Sequence, residues 1–386
     1  MEASGNPDPA TRAVDAFLAA TLRGEGQAWP EGWSDIASLW QRIEFHGIAL
    51  ILAEIPDRLA DWPQILREAI RSEAQSQVFW EESHMRVVAN VLDGLAAHAI
   101  PARLMKGTAL AYCVYDNPAK RRRGDTDLLV EAASLAATRG VLRDAGWTRR
   151  LDPHGLFFQE TWLFATGFGM IHAIDLHWQP NDSPALQQVL RIAEYFSHSV
   201  PLTRLSAAAR APTHVLTFIQ GAMNQAWHRA KGYFVGEERV IGGHRLIWSL
   251  DNHLLTRQFS EAEWAKLATI GTSREIAGIV LAALEAAERD LGTRAPREVL
   301  AALRAAPQDT ALTRYLTQRS QLGEFLTDLR ASEGLQAKAH FALANAFPAR
   351  GHLYWKYPQA TAWPVPLLHL RRLLEIALRS IGLRAS

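Results

Sequence analysis

The sequence predicts an α+β fold in which a short region of strands lies between two helical regions. Apolar residues recur with helical spacing before residue 96 and after residue 180. The residues between them carry short apolar runs separated by turn residues. We therefore divide the chain into an N-terminal helical region (1–95), a strand-containing core (96–180) and a C-terminal helical domain (181–386). A chain of 386 residues is long enough for two or three such units.

The N-terminal region is predicted to be helical, and its clearest helix is Val78–His98. Its apolar residues follow the 3.6-residue period of an amphipathic helix and are Val78, Met85, Val88, Val91, Leu92 and Leu95. Pro101 ends this pattern because proline cannot donate a helical hydrogen bond.

The core is predicted to alternate strands and helices. The expected strands are Ala102–Lys106 and Asp125–Val130, and the expected helices are Thr108–Tyr115 and Ala132–Ala145. Residues Phe157–Ala165 and Met170–Trp178 are expected to form a hairpin that turns at Thr166–Gly169.

The C-terminal domain carries helix-start signals. Ser183 followed by Pro184 is an N-cap with proline at the first helical position. Ser260 with Glu263, and Thr272 with Glu275, have the spacing of capping boxes and predict two further helix starts. A last helix is expected from Leu367, after a loop from Pro358 to Pro366 that contains proline and tryptophan.

The composition is ordinary for a soluble globular protein. The net charge of +1 predicts no overall polyanion-binding surface, although residues 336–386 contain seven Lys or Arg against one acidic residue and could face an anionic partner. The single cysteine, Cys113, excludes an internal disulfide. The acidic N-terminus lacks a signal peptide and no apolar run is long enough to span a bilayer, so we expect a cytoplasmic protein without membrane insertion.

Three carboxylates in the core indicate a metal site. Side chains alternate along a strand, so Asp125 and Asp127 share one face. Their mutual repulsion would be relieved by Mg²⁺ or Mn²⁺, which carboxylate oxygens bind well. Asp175 lies in a later apolar strand, where an unpaired carboxylate would be costly. We therefore predict that Asp125, Asp127 and Asp175 are catalytic metal ligands that could hold two ions.

The turn between the first predicted strand and helix is a candidate phosphate site. Gly107 allows close approach of the backbone, and the helix N-terminus offers free N–H groups to an anion. Thr108 adds a hydroxyl and Lys106 adds a positive charge. Arg121, in the basic run before Asp125, is predicted to brace phosphates.

Several histidines and polar helix residues are secondary candidates. His177 shares a strand face with Asp175, so we predict a catalytic role, while a structural histidine bonded to a carboxylate is the alternative. A zinc site formed by His154, His172 and His177 is disfavoured, because His172 and His177 face opposite sides of a regular strand. Three other polar residues lie in apolar helices of the C-terminal domain: Asn224, His228 and Asp251. They could line the acceptor-binding side of the active site, cap a helix, or form hydrogen bonds within the core.

Taken in order, these residues resemble a known superfamily. Gly107-Thr108, then Asp125-Thr126-Asp127, then Asp175 resemble the signature of the DNA polymerase beta nucleotidyltransferase superfamily. LMKGTALAYCVYDNPAKRRRGDTDLLV followed by IDLHW is similar to a largely uncharacterised branch of bacterial nucleotidyltransferases. The resemblance implies a small mixed sheet, a helical C-terminal domain with the active site between them, and the use of NTP and Mg²⁺. It departs from the superfamily in having Gly-Thr where Gly-Gly or Gly-Ser is usual.

The sequence therefore predicts transfer of a nucleoside monophosphate from an NTP, with ATP the favoured donor, to a hydroxyl or phosphate acceptor, with release of pyrophosphate. A small molecule or natural product is the favoured acceptor. The alternatives are a toxin-like enzyme that modifies tRNA or protein, a metallohydrolase, and a non-catalytic nucleotide-binding scaffold.

Overall fold

A computed structural model describes residues 8–25, 28–30, 32–150, 158–235, 238–318, 320–348 and 350–380. These residues form a five-stranded mixed sheet, two small two-stranded sheets and eighteen α-helices. The α+β class and the small mixed sheet are thereby confirmed, while the division into three domains stays a prediction.

The helices and strands alternate only in the middle of the chain. The helices are α1 (Pro9–Arg23), α2 (Ile36–His46), α3 (Ala49–Ala53), α4 (Gln64–Ala97), α5 (Lys106–Cys113), α6 (Leu135–Asp144), α7 (Pro184–Val189), α8 (Ile192–Ser197), α9 (His214–Lys231), α10 (Leu246–Thr256), α11 (Glu261–Ser273), α12 (Ala277–Leu291), α13 (Arg297–Ala305), α14 (Ala311–Thr317), α15 (Gln321–Ala331), α16 (Gly334–Ala346), α17 (Arg350–Lys356) and α18 (Val365–Ser380). The strands are β1 (Ala102–Met105), β2 (Asp125–Val130), β3 (Thr148–Arg149), β4 (Gln159–Ala165), β5 (Ile171–His177), β6 (Val200–Pro201), β7 (Arg210–Ala211), β8 (Tyr233–Val235) and β9 (Glu238–Val240).

The main sheet has the strand order β1-β2-β5-β4-β3, in which β2 and β5 are parallel and the other pairs are antiparallel. One face packs on α4, α5 and α6 through a core that includes Leu128, Val130, Ile174 and Leu176. On the other face, Leu129 belongs to the core formed with the C-terminal helices, including α9 and α12. Every second residue of β2 and β5 therefore points toward the C-terminal helices.

The predicted helix Val78–His98 is the second half of a much longer helix, α4. The buried stripe of α4 continues toward its start through Leu66, Ile70 and Ala74. The continuity was not recognised because a polar residue, Gln77, occupies a buried position where the two halves of the helix meet. Val78 was assigned to the apolar face, but it is 44% exposed.

Two predicted helix starts are confirmed and one is wrong. The Ser183 side chain caps α7, and Ser260 with Glu263 forms a complete capping box at α11. Thr272 instead lies in the last turn of α11, where its hydroxyl donates to the carbonyl of Ala268. A Thr-x-x-Glu spacing can occur at either end of a helix, and here the chain turns at Glu275 with φ 57°.

Other boundaries shift by a few residues. The first predicted strand ends at Met105, because Lys106 adopts φ 47° and begins α5. The predicted helix from Ala132 opens with a 3₁₀ turn, so that α6 begins at Leu135, and the last helix begins at Val365. Among the described helices, none has an apolar stretch long enough to cross a membrane.

A buried histidine joins the N-terminal helices to α10 and predicts a loss of stability in acid. His46 Nδ1 accepts the backbone N–H of Leu246 (3.1 Å), while Nε2 lies 2.8 Å from Asp15 Oδ1. Both contacts suit the neutral ring, and burial lowers the pKa of His46 to about 4 although Asp15 opposes this. Since the unfolded chain binds the proton near pH 6.5, the stability from neutral His46 is present above pH 6.5. It is lost as the pH falls toward 4, by about 3 kcal/mol in total.

Urea unfolding between pH 7 and pH 4 measures this effect. The variant His46→Gln should show a shallower fall in the free energy of unfolding than the wild type. His340→Gln, at an exposed position, is the control and should follow the wild type. Equal pH slopes for wild type and His46→Gln would contradict the assignment.

Candidate active site

The strand register places two carboxylates side by side. β2 and β5 run parallel with Asp127 opposite Asp175 and Leu129 opposite His177. Asp125 precedes Asp127 by two residues and pairs with Ala173, so it lies on the same face. The structure thus brings together the four residues predicted to be catalytic.

Three of these residues form a group that can hold a cation. One ligand atom from each of Asp127, Asp175 and His177 lies within 4.8 Å of the others. Two carboxylate oxygens and an imidazole nitrogen are suitable ligands for a divalent metal. Asp125 is outside this group among the described residues, so its role as a metal ligand stays a prediction.

Asp127 is the centre of the site's hydrogen bonding. Its Oδ1 lies 2.5 Å from Lys106 Nζ and 2.9 Å from His177 Nε2. Burial opposes ionisation of this carboxyl, but Lys106 and His177 outweigh it and lower the pKa of Asp127. A positive group therefore already lies beside the carboxylate that is predicted to bind metal.

Asp125 has the opposite electrostatic character. Burial, followed by the nearby charges of Asp127 and Asp175, raises the pKa of Asp125 to about 7, with Lys106 opposing this. The nearby cationic side chains therefore do not fully neutralise the negative charge of Asp125, Asp127 and Asp175. This excess negative charge is what a bound divalent cation would balance.

Two further residues at the site were not predicted. Thr161 on β4 lies opposite Asp175 and donates its hydroxyl to Asp175 Oδ1 at 2.7 Å. The predicted turn at Thr166–Gly169 would pair Ala165 with Met170, and thus Thr161 with Ile174. The observed register is shifted by one residue, so the sequence prediction did not place Thr161 beside Asp175. Asp182 accepts the backbone N–H of Phe158 at 2.9 Å, and burial raises the pKa of Asp182 although the charge of Lys106 opposes this. Nothing in the sequence indicated that Asp182 would lie there.

The turn at Gly107 and Thr108 forms hydrogen bonds on the face of the sheet opposite the aspartates. The Thr108 hydroxyl is buried, lies 2.9 Å from Thr126 Oγ1 and accepts a hydrogen bond from Arg123 Nε at 3.0 Å. A Cβ atom on Gly107 would meet Arg123 Cβ at 3.3 Å, so close packing also calls for glycine there. The Thr126 hydroxyl is in turn 2.7 Å from His84 Nε2 on α4. The predicted phosphate contact of the Thr108 hydroxyl stays a prediction, but in the structure this group is engaged by protein atoms.

The start of α5 remains suited to an anion. Among the described residues, no side chain caps this helix, whose first residues are Lys106, Gly107 and Thr108. The N–H groups of an uncapped first turn need partners, and phosphate oxygens provide them.

The basic run from Lys120 to Arg123 is held by carboxylates on other elements. Its ion pairs are Lys120 with Glu54 and Asp116, Arg121 with Asp251, Arg122 with Glu73, and Arg123 with Glu81. Arg121 Nε lies 2.7 Å from Asp251 Oδ1, and its side chain is 12% exposed. The predicted phosphate contact of Arg121 stays a prediction, and the structure gives this guanidinium an internal partner.

Among the described residues, the remaining histidine candidates form hydrogen bonds with groups other than the three aspartates. His172 points to the other side of β5, where its Nε2 is 2.8 Å from Ser83 Oγ and its Nδ1 is 3.2 Å from His84 Nδ1. His154 lies outside the described residues. His228 on α9 lies 3.4 Å from the carbonyl of Gly232, and burial lowers its pKa.

The mixed sheet, the paired aspartates on parallel strands and the uncapped helix beside them agree with the resemblance to the DNA polymerase beta superfamily. They define a nucleotidyl-transferring class of enzyme. The family described as "Uncharacterised nucleotidyltransferase" matches residues 33–292, and the chain belongs to this family. No curated protein matches the chain. The protein is therefore a transferase of nucleotidyl groups.

Proposed function

We propose that this enzyme moves a nucleoside monophosphate from an NTP to a hydroxyl or phosphate acceptor and releases pyrophosphate. The supporting observation is the alignment of Asp127 with Asp175 on neighbouring parallel strands, with His177 beside them, in a member of a nucleotidyltransferase family. ATP is the favoured donor, and a small molecule is the favoured acceptor.

The residues present suit a divalent cation, Mg²⁺ or Mn²⁺. Asp127 and Asp175 would hold it with Asp125, and His177 is close enough to contribute a nitrogen. A cation bound at these carboxylates is consistent with the structure, because the ammonium group of Lys106 already lies 2.5 Å from Asp127 Oδ1. When bound, the ion neutralises triphosphate charge and lowers the pKa of a coordinated oxygen.

The protein's own groups would position the substrates. The N–H groups at the start of α5, including those of Gly107 and Thr108, would hold phosphate oxygens. Lys106 would move from Asp127 to the triphosphate, where its positive charge would form a charge-assisted hydrogen bond with a phosphate oxygen. Thr161 keeps Asp175 oriented through the 2.7 Å hydrogen bond. Catalysis would come mainly from alignment and charge neutralisation.

The acceptor can be identified by following the label. The full chain is incubated with each α-³²P-labelled NTP and Mg²⁺, together with a small-molecule extract, total tRNA or purified protein. We expect label to enter the small-molecule fraction with one NTP preferred, to be lost in EDTA, and to return with Mg²⁺ or Mn²⁺. Label in tRNA or in protein would select one of the alternative acceptors. Free nucleoside monophosphate without a labelled acceptor would indicate a hydrolase, and NTP binding without turnover would indicate a scaffold.

Thr161 offers a test of the proposed metal site that does not depend on the acceptor. Thr161→Val keeps the shape of the side chain but removes the hydroxyl that orients Asp175. We expect the affinity for Mn²⁺, measured by calorimetry, to fall by about 10-fold, the usual effect of losing such a supporting hydrogen bond. Thr148→Val on β3, whose hydroxyl donates to the carbonyl of Leu163, is the matched control. Unchanged Mn²⁺ affinity in Thr161→Val would argue against Asp175 as a ligand.

A further inference from the structure

The helix α18 presents an apolar face to solvent. Leu367, Leu370 and Leu374 recur at the spacing of one helical face and are 50%, 55% and 56% exposed. Leu368 is fully buried and belongs to a small cluster that includes Leu353 of α17. The helix therefore packs on α17 through Leu368, while the three other leucines remain largely in water.

Two exposed aromatic side chains lie beside these leucines. Trp363, in the turn before α18, is 46% exposed, and its ring centroid lies 5.9 Å from Arg371 Cζ. Phe347, at the end of α16, is 53% exposed, and its ring lies 5.4 Å from that of His369. Large apolar side chains that cluster in this way on a surface indicate an interaction site.

The same part of the chain is strongly basic. Residues 350–380 contain five Lys or Arg and a single acidic residue, Glu375. Glu375 accepts hydrogen bonds from both Lys356 and Arg371, so one carboxylate is shared by two cations. Arg372 donates to backbone carbonyls, which carry no net charge. These contacts leave α17 and α18 with a net positive charge.

The leucines and the positive charge together select the partner. A second copy of this chain would cover the leucines but would bring like charges together. A nucleic acid would neutralise the arginines but would leave the leucines in water. An anionic lipid bilayer suits both, because leucines enter the boundary between headgroups and acyl chains while Lys and Arg contact lipid phosphates. Tryptophan is also favoured at this boundary.

We propose that α18 lies along the surface of an anionic lipid bilayer. Its apolar face, formed by Trp363, Leu367, Leu370 and Leu374, enters the headgroup region, and Arg371 at the edge of that face contacts lipid phosphates. The family match ends at residue 292, before α18 begins, and α18 contains none of the carboxylates of the candidate active site. This proposal therefore does not rest on the proposed reaction, and either can be correct without the other.

The test is flotation of the full chain with vesicles of phosphatidylcholine, either alone or mixed with phosphatidylglycerol. We expect the wild type to float with the mixed vesicles, and to float less with phosphatidylcholine alone or at high salt. Leu370→Asp should bind the mixed vesicles at least tenfold more weakly, because it removes hydrocarbon from the apolar face and adds a negative charge. Leu322→Asp on α15 is the matched control, since Leu322 is 66% exposed and lies outside this face.

Three results would overturn this proposal: no flotation of the wild type with the mixed vesicles, equal flotation with both kinds of vesicle, or equal binding by the wild type and Leu370→Asp. In the first case sedimentation equilibrium identifies the alternative, because a dimer that is lost in Leu370→Asp would assign the face to a second copy. Leu374→Asp provides a second variant should Leu370→Asp fail to fold by circular dichroism.

Discussion

Asp127→Asn is expected to lower the rate of nucleotidyl transfer by about 10³-fold, the upper range for losing one preorganised electrostatic contact. Asn keeps the shape of the side chain but removes the charge that Lys106 and His177 both contact. It also removes one of the two carboxylates that face each other between β2 and β5. A divalent cation would then keep Asp175 but lose its most buried carboxylate ligand.

The measurement is label transfer from α-³²P NTP, together with Mn²⁺ affinity by calorimetry on the same preparations. The fold should persist, because Lys106 remains close to the charges of Asp125 and Asp175. Asp309→Asn is the matched control, since that carboxylate is 75% exposed and forms only a surface ion pair. More than a tenth of wild-type activity in Asp127→Asn would remove Asp127 from the catalytic machinery.

Asp251→Ala is expected to destabilise the protein by about 3–5 kcal/mol, because it leaves a buried guanidinium without its partner. Asp251 is 2% exposed, and its Oδ1 accepts hydrogen bonds from Arg121 Nε and the Tyr115 hydroxyl, both at 2.7 Å. Burial raises the pKa of Asp251 although Arg121 opposes this, so pairing only partly offsets the desolvation of the carboxylate. The double variant Arg121→Met/Asp251→Leu should therefore lose less stability than Asp251→Ala alone.

Urea unfolding of Asp251→Ala and of the double variant measures this difference in stability. Asp309→Ala breaks the exposed pair with Arg314 and should cost under about 1 kcal/mol. A small stability change in Asp251→Ala combined with loss of turnover would show that Asp251 acts in the reaction, as one interpretation of the sequence allowed. A large stability change with turnover retained in the folded fraction would confirm its structural role.

The strand that carries the aspartates was predicted with its observed bounds, Asp125–Val130. Alternation along a strand is a local property, so the shared face of Asp125 and Asp127 followed from the sequence alone. The Ser260 capping box was also predictable, because both of its hydrogen bonds span only three residues.

The partners of charged residues were not predictable. Arg121, in the basic run before Asp125, was predicted to brace phosphates. The four residues of this run instead pair with carboxylates, all but one of which, Asp116, are more than 35 positions away, and Asp251 is 130 positions away. The sequence shows which residues are charged, but it does not show which basic side chain forms an ion pair with which carboxylate.

The sequence by itself determined the class of chemistry. A glycine turn, two aspartates separated by one residue, and a later aspartate follow one another in the order typical of nucleotidyltransferases. Alternation along a strand places the first two aspartates on one face of the sheet. Only the tertiary structure decided which groups surround them. The parallel pairing of β2 with β5 aligns Asp127 with Asp175, and the hairpin brings Thr161 to Asp175. The packing of α12 against both α1 and α9 likewise joins distant segments of the chain. Such contacts depend on the register and packing of distant segments, which no short-range pattern encodes.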